Sequence, residues 1–193
     1  MKPVPATSEV LEVLAALGDE RLGTQLGWIA ELVLEAVPQA DAMSVWFADE
    51  ELTLVMHAEQ SEVPADAVRD SIRSSLAVTI ADGPRTVAVI TTYSGSVRAF
   101  AGRIRAVERT LGAVPNAWVL DGDVEFRSWY LAESAPSQVR GRLVIDTAVG
   151  LIMGQRGLDV IDAEDWLRDT CESSGLPLVE LATRLVSNDP DLR

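Results

Sequence analysis

Few side chains of this chain are able to do chemistry, and their spacing forms no catalytic set. One histidine (His57) and one cysteine (Cys171) occur in 193 residues, which excludes a disulfide framework and a multi-ligand Cys/His metal site. Asp159, Asp162, Asp165 and Asp169 follow the rhythm of half a cation loop. The glycine and closing glutamate of such a loop are missing, so helix capping and a solvated face account for them. Asp82-Gly83-Pro84-Arg85 reads as a turn rather than a phosphate cradle, and Asp49-Glu50-Glu51 reads as a hairpin tip with no strand-end lysine to make it a phosphoacceptor site. His57 falls near the end of a predicted strand and reads as a core or edge imidazole. Cys171 reads as a small buried hydrophobe. No nucleophile stands with a base. The residues therefore predict a protein that is not an enzyme and needs no metal or cofactor.

What remains is charge. Fifteen of the sixteen cations are arginine, against thirty carboxylates, for a formal net charge of −14. That balance argues against general nucleic-acid affinity, because phosphate contacts need clustered cations; any such partner must be held by a local basic patch. Nearly half of the residues are apolar, enough for a packed core and against disorder. Met1-Lys2-Pro3-Val4-Pro5 begins no signal peptide and no apolar run reaches membrane-spanning length, so a soluble cytoplasmic protein is expected.

The elements that must position these groups follow from periodicity. Val10, Leu11, Leu14 and Leu17 predict a short helix ending at Gly18, and Leu22, Leu26, Ile29, Leu32, Val33 and Ala36 a longer one stopped by Pro38. Met43–Ala48 and Leu52–Ala58 read as a hairpin, and a helix is expected from Pro64 to about Ser74. A second hairpin pairs Leu76–Ile80 with Thr86–Tyr93 around Asp82-Gly83-Pro84. Val97, Phe100, Ile104, Val107 and Leu111 make a helical stripe. Residues 115–136 read as a linker, helical after Asp123, with a joint at Ala135-Pro136-Ser137. The five tryptophans are expected in the core, with Trp118 and Trp129 as candidates for a dimer interface. Beyond the joint come three short amphipathic helices. The first places Val144/Ile145, Ala148 and Leu151/Ile152 on one face and ends near Gly154 or Gly157. Asp162 caps the second, which turns Ala163, Trp166, Leu167 and Thr170 inward and closes at Gly175. The third starts at Pro177 and buries Leu178, Leu181, Ala182, Leu185 and Val186.

The tail carries Arg142-x-Val144-Ile145-Asp146-x-Ala148-x-Gly150-x-x-Met153, then Arg156-Gly157, Ala163-x-x-x-Leu167-Arg168 and Leu181-Ala182-x-x-Leu185-Val186. In order, spacing and length these fifty or so residues resemble the ANTAR domain, a three-helix RNA-binding module of bacterial transcription antiterminators. The long first helix, the Met43–Ala58 hairpin, Ile72-Arg73-Ser74-Ser75-Leu76-Ala77-Val78 and the run Val89-Ile90-Thr91-Thr92-Tyr93-Ser94 resemble a GAF-type sensory domain. The implied architecture is α+β: a GAF/PAS-like antiparallel sheet with flanking helices over 8–114, the linker at 115–136, and a three-helix ANTAR bundle over 137–188. Between Glu59 and Pro64 the chain lacks the lid-and-strand insertion that usually walls the ligand pocket of such sensory domains. This argues against a small-molecule effector and for a sheet that mainly dimerises. Val149 stands where the ANTAR family commonly has a basic residue, and Glu164 where it commonly has an aromatic one, with Trp166 nearby to fill the gap.

From Ser137 onward six arginines face ten carboxylates, a net charge of −4. The resemblance therefore implies RNA binding through a cationic face made of Arg140, Arg142, Arg156, Arg168 and Arg184, with shape recognition of paired stem-loops in nascent mRNA by a homodimer. The competing reading of the same fold is a dimeric signalling or scaffold protein whose tail mediates protein contacts and has lost RNA binding. On that reading the arginines are solvated, with Arg168 paired to Glu164 or Glu172 one turn away.

Overall fold

Alternating apolar residues build two antiparallel hairpins, and these form the centre of the N-terminal half. The computed structural model describes residues 1–58, 65–121 and 127–187. Strands β2 (Ala42–Phe47) and β3 (Leu52–His57) form the first hairpin, and β4 (Ser74–Asp82) and β5 (Arg85–Ser94) the second. Asp82 pairs with Arg85 across a two-residue turn, and Gly83 supplies the φ of 58° that this turn requires. Two further strands, β1 (Lys2–Pro3) and β6 (Trp118–Asp121), complete a six-stranded antiparallel sheet in the order β1-β3-β2-β5-β4-β6.

Because strand side chains alternate, each face of the sheet collects its own core. Met43, Val45, Leu54, Leu76 and Ile90 share one face and are essentially inaccessible. Helix α2 (Arg21–Ala36), which buries Leu26, Ile29 and Val33, packs against β2 and against α4 (Ile104–Thr110), which buries Val107. On the opposite face Ala42, Val55 and Tyr93 cluster with Val4, with Val68 of α3 (Ala65–Ser71), with Ile72, and with Trp129 and Ala132 at the start of α5 (Arg127–Arg156). The Tyr93 and Trp129 rings lie 5.5 Å apart in a tilted pair. Helix α1 (Pro5–Ala16) is tied to the sheet through the buried Thr7 hydroxyl, which accepts a 2.9 Å hydrogen bond from the Val55 amide. Two compact units result, Met1–Pro136 and Ser137–Arg193.

Several expectations change. The stripe from Val97 to Leu111 is helical only from Ile104. Arg98 (φ 57°) and Gly102 (φ 71°) both adopt left-handed backbone, which no continuing helix accepts, and Val97 is left exposed. Ser74 begins a strand instead of ending a helix, while the proposed helix start at Pro64 lies outside the described residues. The linker reading of 115–136 misses β6, whose residues pair with Ser74–Ala77 of β4. The break at Gly122-Asp123 and the side chain of Phe126 lie outside the described residues. Pro136 does not break the helix, since α5 runs through it, although the two compact units divide at this residue. The proline costs that helix one amide hydrogen bond, and it is buried. Of the two interface candidates, Trp129 is buried within its own unit and Trp118 is 73% exposed; Trp28 is exposed as well.

His57 is the one buried side chain among the described residues whose polar atom, Nδ1, has no hydrogen-bond partner. Burial, and then the positive Lys2 opposite it on β1, hold its pKa below the ordinary 6.5. The folded chain therefore resists a proton that the unfolded chain accepts. Stability is expected to be fully present above pH 6.5 and to fall as the pH drops through that value. Urea melts of the wild type between pH 8 and 5, compared with His57→Gln, check this: the variant should lose the part of the slope nearest pH 6. Equal slopes for the two proteins would show that the burial has no such effect.

A candidate nucleic-acid interface on the C-terminal helices

Each helix of the second unit ends on a recognisable local signal. The part of α5 that belongs to it, from Ser137, stops at Gly157, whose φ of 66° turns the chain and whose amide closes on the Met153 carbonyl at 2.9 Å. Helix α6 (Val160–Ser174) is capped by Asp159, not by Asp162: the Asp159 carboxylate accepts the Asp162 amide at 2.9 Å. Gly175, left-handed at φ 67°, closes α6 as expected, and the Cys171 thiol donates to the Leu176 carbonyl at 2.9 Å. Helix α7 (Leu178–Val186) follows Pro177. Where it meets α5 the approach is close, since a Cβ on Gly141 would stand 3.4 Å from a Val179 methyl.

The core of the unit is small and built from all three helices: Ala148, Val149 and Ile152, then Ala163 and Leu167, then Leu181 and Ala182. Val144, Ile145, Met153, Leu158, Trp166, Cys171, Leu176 and Leu185 pack around it, partly covered. Val149 thus occupies a core position, which explains why an apolar residue stands there. The expected inward face needs correction at three places: Leu151, Leu178 and Val186 are exposed, because the helices contact one another over a narrower strip than the apolar pattern spans.

The predicted cations lie on all three helices, and no single face gathers them. On α5, Arg142 and Arg156 are fourteen residues apart, about four turns, and so share one side at a separation of roughly 21 Å. Arg140, two residues before Arg142, points about 160° away from it. Arg140, Arg142 and Arg156 are all exposed. Arg168 pairs with Asp165 one turn before it, in place of the expected Glu164 or Glu172, and Arg184 with Glu180 at 2.8 Å. Such exposed intrahelical pairs are weak, roughly 0.3–0.5 kcal/mol, so they do not lock either guanidinium away from a stronger anion. Arg156 differs from both. Its guanidinium carbon sits 4.1 Å from the centroid of the Trp166 ring, and among the described residues it has no carboxylate partner. Helical spacing alone makes Trp166 an inward-facing filler, yet it is half-exposed and carries a cation on its ring. Among the described residues, no group of His, Cys, Asp or Glu could hold a metal ion and no helix is long and apolar enough to cross a membrane.

Residues 133–186 match the ANTAR domain family. No family match covers the N-terminal unit, and neither the curated proteins nor the solved structures contain a match to the chain. An ANTAR domain is thus detected at residues 133–186, and ANTAR domains are generally RNA-binding antitermination regulators.

The compactness of this core sets a test of its integrity. Leu181→Ala should destabilise the C-terminal unit by about 2–5 kcal/mol, whereas Asp159→Ala, which removes only the α6 cap, should cost about 1 kcal/mol. Hydrogen exchange on α6 and α7 would measure both, and a larger loss from the cap than from the leucine would contradict this description of the core.

Proposed function

We propose that the protein is an RNA-binding transcription antitermination regulator, which binds paired stem-loops in nascent mRNA and so prevents a terminator hairpin from forming. The observation that carries this reading is the ANTAR match at residues 133–186, which spans all three helices of the C-terminal unit. The function needs no bond-making step. It requires only that one RNA structure be held more tightly than its competitor, which shifts a population between two folds of the transcript. Arg140, Arg142, Arg156, Arg168 and Arg184 supply the phosphate contacts, and the surrounding carboxylates keep nonspecific binding weak. In this proposal the N-terminal sheet is a GAF-like sensory and dimerisation domain, and two copies present two bundles to two stem-loops. The protein acts in the cytoplasm, where transcripts are made.

One set of observations favours the scaffold reading. Arg168 and Arg184 are paired with carboxylates of their own helices, and Val160, Ile161 and Val179 expose apolar surface on α6 and α7, with Ile161 at 66%. A gel-shift titration separates the two readings. RNA carrying two closely spaced stem-loops with randomised loops, enriched on the full-length protein at moderate salt, should yield a bound species. Arg142→Ala and Arg156→Ala should each weaken it and reduce the log–log salt slope by about 0.7–0.9. Failure to enrich any RNA would overturn the function, and retained affinity in both variants would overturn the assignment of those two arginines.

A further inference from the structure

We infer that Arg156 and Trp166 together form a stacking platform for one unpaired nucleobase of the bound RNA, and that Arg156 is therefore more than a phosphate contact. This rests on the RNA-binding reading above and specifies its recognition element. The argument begins with position. Arg156 is the last residue of α5, and Gly157 turns the chain away immediately after it, so the side chain stands at a helix end with solvent beyond it. Trp166, midway along α6, packs partly buried against the core of the unit and carries the guanidinium over its ring. At 4.1 Å the guanidinium carbon is at stacking distance, and the indole limits the orientations the group samples.

Chemistry then selects the ligand. A guanidinium supported on one side by an aromatic ring presents its other flat face outward, still charged and with its N–H donors around the rim. A flat, electron-rich partner fits that face, and in a single-stranded RNA loop the partner of that kind is a splayed-out base. A phosphate would take the rim donors but needs no ring beneath them. Arg168 and Arg184 offer no equivalent, since each is turned toward a carboxylate. Of Arg156, Arg168 and Arg184, then, Arg156 has the form of base readout, and the other two supply position.

The test is a coupling measurement on the full-length protein with the RNA enriched above. Each loop nucleotide is replaced in turn by an abasic residue, and affinity is measured for wild type, Arg156→Lys, Arg156→Ala and Trp166→Phe. At one loop position, loss of the base should weaken wild-type binding about tenfold, the scale of base–aromatic stacking. Against Arg156→Lys or Arg156→Ala the same abasic change should cost nothing further, because the platform is already gone. Arg156→Lys keeps the charge, so its salt slope should match the wild type while its affinity falls. Trp166→Phe keeps a ring in the core and should lie between the two. Full affinity in Arg156→Lys, or additive costs at every loop position, would overturn the platform while leaving RNA binding intact. Failure to enrich any RNA would instead overturn both proposals, and would direct attention to a protein partner on the exposed apolar surface of α6.

Discussion

Three alanines, one on each helix, set the distances on which the C-terminal unit depends. Ala148, Ala163 and Ala182 are completely buried, and each stands where a larger side chain would push two helices apart. Leucine and valine fill what the alanines leave open, but the alanines decide how near the helix backbones come. The surface inherits that spacing. Arg156 at the end of α5 reaches the Trp166 ring of α6, and Gly141 next to Val179 shows the same economy of volume between α5 and α7. A bundle this small has little apolar area to spare, so a change of one or two methylene groups at its centre is felt at its rim.

How much of this was legible in the residue order varies with the physics of each element. The two hairpins were readable because strand alternation and a Gly-Pro turn act locally, and their observed bounds differ from the expected ones by a residue or two. The helix capped at Asp159 and closed at Gly175 was readable apart from the identity of the cap, since two aspartates three residues apart are equally good candidates until the first turn is located. Two features were not readable. The stripe from Val97 has helical spacing, but Arg98 adopts left-handed backbone without being glycine, and nothing in the residue type announces that. Pro136 has the residue type of a helix boundary, yet α5 continues through it; the burial of the proline is a tertiary fact that outweighs the local rule for the helix, while the division into compact units does fall there. Strand β6 was missed for a related reason. Four residues that earn their place only by pairing with β4 carry too short a pattern to stand out.

The candidate site divides in the same way. Arginine positions are plain from the chain, but whether an arginine lies beside a carboxylate or on a ring depends on the turn of the helix and on its neighbour across the bundle. Arg168 could pair forward or back on α6, and it takes Asp165. The contact of Arg156 with Trp166 joins two helices and has no signature in spacing at all. An acidic protein with a few selectively placed cations also gains discrimination: carboxylates close to the arginines repel any phosphate backbone that does not bring its charges to the right places.

The two margins of the N-terminal sheet have a bearing on how this protein behaves when concentrated. One margin is only Lys2–Pro3, and the other only Trp118–Asp121. Among the described residues an incoming extended segment would find two residues on one side, one of them lacking an amide hydrogen, and four on the other; where β4 runs on past β6, the Val114 amide donates to its Thr79 carbonyl. Among the described residues both margin strands are short templates for an additional strand, which works against growth of a sheet with long, strongly apolar central strands into fibrous aggregates. Contact between two such sheets must therefore run through side chains, on the scale of an exposed indole such as that of Trp118, and remains reversible in a way that backbone pairing is not.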